Sequence, residues 1–151
     1  MKYRNVQMLG ISHVDAPETV SSEEIESRLA PALSRLGIPK GILKKLFHHG
    51  LELGLKTWEV AREALNWRID DIDQFVIHQV GKAHTEKFAR TLGVPLSKIF
   101  RLYPKHGNIG PAGVPIALSK LVASGTLKDG DRIALMGIGS GINCSMAELV
   151  W

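Results

Sequence analysis

His78 and Asn108 are the residues of this 151-residue chain whose types and placement best fit chemistry. His78 closes the apolar run QFVIH (74–78), the pattern of a buried strand in a parallel sheet. Asn108 lies thirty residues further on, in HGNIGPAG (106–113), after a second strand-like run, KIFRLY (98–103). Open α/β sheets gather ligands at the carboxyl ends of their parallel strands, so both side chains are expected to face one crevice. An imidazole N–H and a carboxamide N–H2 at one point form a donor pair suited to an oxyanion or an enolate. One such donor contributes about 3 kcal/mol to a transition state. A lone histidine at a strand end is more often a satisfied core residue, and the second strand-end residue is what shifts the balance here.

Other residue patterns carry less. GIGSG (137–141) lacks the helix that a dinucleotide fingerprint needs after its glycines, because a strand follows. It reads either as a hairpin turn or as a turn whose backbone N–H near Ser140 forms a further oxyanion hole. Cys144, the single cysteine, falls in mid-strand, away from a helix N-terminus or cation that would activate it, so a buried structural thiol is expected. His48 and His49 lack metal-ligand spacing and read as helix surface. His84 shares a helix with Lys82, Lys87 and Arg90, which fits a solvated face or a docking patch for an acidic partner. No metal and no cofactor is expected.

The elements that must position these residues follow from periodicity and punctuation. YRNVQMLGI (3–11) reads as a strand. SSEE (21–24) is a capping box that opens a helix to about Leu36, ended by Gly37, with Pro31 expected to kink or split it. GIPKGILKK (37–45) reads as a join between pieces. A long helix from about Leu46 to Asn66 follows, its apolar face at 47, 51, 54, 58, 61 and 65. Gly50 and Gly54 each cost roughly 1 kcal/mol against Ala in a helix, which predicts a closely packed backbone there. A helix over 82–92, a helix from Pro111 to about Ala123, and strands at 131–139 and 142–151 complete the chain. That order is an α/β pattern ending in a hairpin, and right-handed crossovers would put helices on both faces of the sheet.

Composition bounds the function without naming it. Length fits one domain, and 44% hydrophobic residues can fill one core. No apolar run approaches the roughly 18 residues of a membrane span, and MKYRNVQMLG lacks the apolar core of a signal peptide, so a cytoplasmic location and no membrane partner are expected. A net charge of +4 suits solubility or an acidic partner such as a carrier protein. No basic run is interleaved with aromatics, which argues against nucleic acid.

DQFVIHQV (73–80), HGNIGPAGVPIALSKL (106–121) and GDRIALMGIGSGINCSMAELVW (130–151) together resemble the C-terminal part of ketoacyl-ACP synthase III, and within that thiolase superfamily most nearly the enzyme condensing two acyl-CoA molecules head to head in olefin biosynthesis. The likeness covers about 46–151, while 6–38 resembles the family's N-terminal end, with 39–45 as the join. The resemblance implies that His78 and Asn108 grip a thioester carbonyl as it becomes a carbon nucleophile. It implies that His106, Gly107 and Gly110 form the substrate-binding loop and that the Ser140 N–H holds an acyl-enzyme oxyanion. The family's nucleophilic cysteine lies in a middle section that has no match here, so no nucleophile is assigned. The implied fold is a single thiolase-like half, a five-stranded mixed sheet of order 3-2-1-4-5 with its last strand antiparallel, in which strand 3–11 replaces a missing first strand.

Two functions follow as expectations. One is a condensing acyltransferase acting on acyl-CoA or acyl-ACP in fatty-acid or olefin biosynthesis, truncated and inactive alone. The other is a non-catalytic module that binds an acyl thioester or oligomerises. Helix faces left uncovered in a lone half predict a homo-oligomer or a paralogue as partner.

Overall fold

The computed structural model describes residues 8, 10–18, 20–37, 40–139 and 141–151. Helix α1 spans Ser22–Leu36 and α2 spans Lys40–Leu65. Strand β1 (Gln74–Ile77) leads into α3 (Lys82–Leu92). A single helical turn, α4 (Tyr103–His106), precedes a 3-10 turn at Gly110–Ala112 and helix α5 (Gly113–Ala123). Strands β2 (Arg132–Gly139) and β3 (Asn143–Val150) close the chain.

Among the described residues the sheet has three strands in the order β1-β2-β3. β1 runs parallel to β2, with Phe75 opposite Ala134, and β2 runs antiparallel to β3, with Met136 opposite Met146. The mixed sheet and its antiparallel last strand match expectation; the count of five and the order 3-2-1-4-5 do not. Direct pairing of β1 with β2 leaves no room between them for a strand from 3–11. Residues 3–7 and 9 of that expected strand lie outside the described residues, and Met8, Gly10 and Ile11 have no regular structure. KIFRLY keeps one parallel bridge, Phe75 to Ile99, and its last residue, Tyr103, already begins α4.

The reason is the side chain of Gln79, which is buried just past β1. Its Nε2 donates to the Phe100 carbonyl at 2.7 Å, and its Oε1 accepts from the backbone N–H of Leu102 at 2.8 Å and of Tyr103 at 3.0 Å. One carboxamide thus satisfies backbone groups that a strand ladder would have served, and the chain is free to turn toward the site.

Alternation along the strands divides the core into two. Phe75, Ile77, Ala134 and Met136 face Trp58 and Ala61 of α2 and Phe88, Ala89 and Leu92 of α3. Val76 and Ile133 face Leu102 and, on α5, Ala117, Leu118 and Leu121. Helices therefore cover both faces. Trp58 packs 5.5 Å from Trp67 and 6.3 Å from Phe75, centroid to centroid. The indole N–H of Trp67 donates to Glu148 at 2.6 Å, and Arg132 grips the same carboxylate through two nitrogens at 2.9 and 3.1 Å, tying the end of α2 to both long strands.

Local signals fared unevenly in the helices. Ser21 caps α1 by accepting from the Glu24 N–H at 3.1 Å, while Gly37 ends the helix at φ +57°. Glu24 pairs with Arg28 along the helix. Pro31 neither splits nor ends α1, which is continuous over fifteen residues. α2 starts at Lys40, inside the stretch read as a join. Among the described residues no other backbone comes within 4 Å of where a Cβ on Gly50 or Gly54 would sit. A Cβ on Gly50 would lie 3.4 Å from Ile138 Cδ1, and one on Gly54 3.7 Å from Phe88 Cε2, so the glycines make room for side chains of β2 and α3.

Candidate functional site

His78 follows the last residue of β1, and its backbone N–H continues the parallel ladder by donating to Met136 at 2.8 Å. That bond fixes the imidazole at the strand's carboxyl end. The ring is half-buried and lines two cavities. The larger, of about 340 Å³, lies between β2, β3 and the start of α5, with Gly110, Pro111, Val114, Leu135 and Ser145 on its wall. The smaller, of about 30 Å³, lies on the α2–α3 side, bounded also by His84, Cys144, Gly50, Gly54 and Phe88.

Gly110 connects His78 with Asn108. Burial lowers the His78 pKa, and a hydrogen bond to the Gly110 backbone opposes it. A bond that favours the charged ring has the imidazole as donor and the Gly110 carbonyl as acceptor. On its other side, the Gly110 N–H donates to Asn108 Oδ1 at 3.0 Å. Gly110 adopts φ +58°, a left-handed conformation that a side chain would strain. With Oδ1 occupied, the N–H2 of Asn108 remains as its donor. Asn108 is exposed and lines neither cavity. The two residues therefore share one backbone residue, Gly110, rather than one open pocket.

The other expected site residues disperse. His106 lies 3.9 Å from Asp15, which also pairs with Lys120 of α5 at 2.7 Å. Lys120 holds the Asp15 carboxyl below the usual carboxylate range. His13 donates to or accepts from Ser119 at 2.8 Å, so residues 13–15 are pinned across α5 and the end of α4. Gly107 ends α4 at φ +61° and is exposed. Ser140 lies outside the described residues. Cys144 is half-buried; burial pushes its thiol pKa up, against a hydrogen bond with the Thr57 side chain, as suits a structural thiol. His48 and His49 both pair with Glu52 on the exposed face of α2, at 3.4 and 3.3 Å. Among the described residues no group of three or more His, Cys, Asp or Glu is arranged to hold a metal ion.

His84 corrects the sequence reading most. It does not stand on a solvated face. It is largely buried against the smaller cavity, and its pKa is lowered by burial, then by the charge of His78 and by Lys87. One signal was available: His84 precedes the buried Phe88 by one helical turn, so the two share a face. Gln79 was also missed, although a polar residue directly after a buried apolar strand marks a backbone that needs partners.

The profile of the 3-oxoacyl-[acyl-carrier-protein (ACP)] synthase III C-terminal family matches residues 62–151. An acyl-CoA:acyl-CoA alkyltransferase of Xanthomonas campestris pv. campestris is 54% identical over 106 residues, which are 70% of this chain and 31% of that protein. A beta-ketoacyl-[acyl-carrier-protein] synthase III of Rickettsia felis is 34% identical over 108 residues, 72% of this chain and 34% of the relative. The crystal structure of a cysteine-to-serine variant of Xanthomonas campestris OleA, with bound lauric acid and lauroyl-CoA, superposes with a TM-score of 0.71 at 52% identity, over 72% of this chain and 32% of that one. The chain spans about a third of the length of these relatives. Over that third, sequence and fold agree: the chain belongs to the 3-oxoacyl-[acyl-carrier-protein] synthase III C-terminal family.

Proposed function

We propose that the chain is the His/Asn-bearing part of a condensing acyltransferase acting on acyl thioesters, acyl-CoA or acyl-ACP, in fatty-acid or olefin biosynthesis. The observation that carries this reading is the His78–Gly110–Asn108 linkage at the mouth of an apolar cavity of about 340 Å³. Such a cavity accepts an acyl chain, and His78 on its wall would meet the thioester carbonyl, with Asn108 reaching in from outside it. Asn108 Nδ2 donates to the thioester oxygen. The second nitrogen of His78 is a lone pair when the ring is neutral and an N–H when it is charged. His78 therefore takes the α-proton and then joins Asn108 in stabilising the enolate. The Ser140 N–H holds the acyl-enzyme oxyanion, and His106 and Gly107 keep the loop in place from behind.

The acyl acceptor is absent from this scheme. Cys144 is held by Thr57 and discouraged from ionising, so condensation requires a cysteine from another chain or segment. In this reading 1–38 is the family's N-terminal segment, 39–45 a join and 46–151 the C-terminal part. Exposed Ile25, Leu29 and Leu36 on α1 and Val60 on α2 favour a homo-oligomer or a paralogue as partner. Light scattering on a sizing column is expected to show a species larger than one chain; a stable monomer would contradict that part.

Acyl-CoA in D2O supplies the test of function. The chain should exchange the α-hydrogens faster than buffer does, and His78→Ala and Asn108→Ala should each lose about 10²-fold. Intact mass should show no acyl adduct on Cys144. The exposure of Asn108 outside the cavity favours one second reading, a thioester-binding module without turnover. It is the better account if the double variant still binds acyl-CoA unchanged and no exchange is seen.

A further inference from the structure

The small cavity on the α2–α3 side brings together two imidazoles that approach from either end of the β1–α3 turn. His78 directly follows the strand's last residue, and His84 lies in the first turn of α3, with Gly81 between them as the helix cap. The remaining wall is made by Gly50, Leu51 and Gly54 of α2, Met136, Gly137 and Ile138 of β2, and Cys144 and Met146 of β3. Its volume of about 30 Å³ suits one or two water molecules, whose share begins near 10–15 Å³ of such volume. The two glycines of α2 are what keep this space open beside the rings.

We propose that His84 tunes His78 from behind: the two rings bound one water-sized cavity and hold at most one added proton between them. The proposal rests on the reading of His78 as the site's imidazole. His78 spends one N–H on the Gly110 carbonyl, so a proton it gains lies on the nitrogen that remains. Two charged rings across so small a gap repel, so a proton on either ring disfavours a proton on the other. The other titratable groups around the pair are Lys87 on α3, whose charge also opposes a proton on His84, and the Cys144 thiol on β3, which burial keeps neutral. Neither α2 nor β2 contributes an ionisable side chain to the wall. No carboxylate lines the cavity, so no fixed negative charge holds a second proton.

Imidazole NMR on histidine-labelled full-length chain tests this without substrate, so its failure is separable from failure of the thioester reading. In the wild type, the two rings should titrate in two steps that depend on each other. In His84→Gln the His78 ring should titrate as one step at higher pH, and in His78→Gln the His84 ring should do the same. His84→Asn serves as the check if His84→Gln loses the native spectrum. Upward shifts in both directions support the pair. Rings that titrate identically whether or not the other is present overturn it. A downward shift of His78 on loss of His84 overturns it too, because His84 would then be a supporting acceptor rather than a competitor.

Discussion

Around His78 the structure spends a dedicated partner on nearly every group, whereas α1, fifteen residues long, exposes every described side chain. Gln79 serves three backbone groups of the next segment, Gly110 serves both His78 and Asn108, and cores close over β1 from either face. α1 has a capped start, a glycine stop and exposed apolar residues at Ile25, Leu29 and Leu36. Both regions obey helix and strand rules locally. They differ in that the first is over-determined by tertiary contacts and the second rests on local rules alone, which give a short helix only marginal stability.

Substitutions should separate the two regions by size of effect. Phe75→Ala and Trp67→Ala each empty a site in the packed aromatic core and should cost about 3–5 kcal/mol in urea unfolding, enough to threaten folding. Gln79→Ala strands three backbone groups, one buried and two partly buried, and should cost about 3 kcal/mol. Hydrogen exchange at Leu102 and Tyr103 should speed up while β2–β3 amides stay protected. Equal loosening of both would mean that Gln79 supports the fold in general and not the loop.

Acid provides a third, smaller contrast. His78 and His84 both have lowered pKa values in the folded chain. Below the ordinary imidazole value of about 6.5 the unfolded chain therefore binds more protons than the folded one. Stability contributed by these rings is full above that value and falls as pH drops through the lowered folded values. His84→Gln should flatten that slope in denaturation midpoints measured from neutral pH downward; an unchanged slope would place the acid sensitivity elsewhere. The smallest effect belongs to α1, where Leu29→Ala should change chain stability by no more than about 0.5 kcal/mol. A larger loss would show that the apolar row has a partner in solution.

What the sequence disclosed followed the same division. The α1 cap, the α3 boundaries with Gly93 in the left-handed conformation, and the β2–β3 hairpin are local events, written in adjacent residues. His78 at a strand end was legible because a continuous apolar run stops there. The sheet order was not, since pairing of β1 with β2 joins segments nearly sixty residues apart and no periodicity encodes a neighbour. KIFRLY has the composition of a strand, yet Gln79 competes for its backbone groups and wins. Lys82, Lys87 and Arg90 made His84 look solvated, but the helix rotates those three outward and the imidazole inward. Asp15 gathers Lys120 and His106 across more than ninety residues, and nothing near it in sequence announces that.

The account depends on the His78 ring and the Gly110 peptide meeting a thioester. Titrating a non-hydrolysable lauroyl-CoA analogue into isotope-labelled protein reads this directly. His78 ring signals and the Gly110 and Asn108 amides should move together along one saturable curve, and His84 should follow them. Saturable binding that shifts only exposed lysines and leaves these groups in place would contradict it.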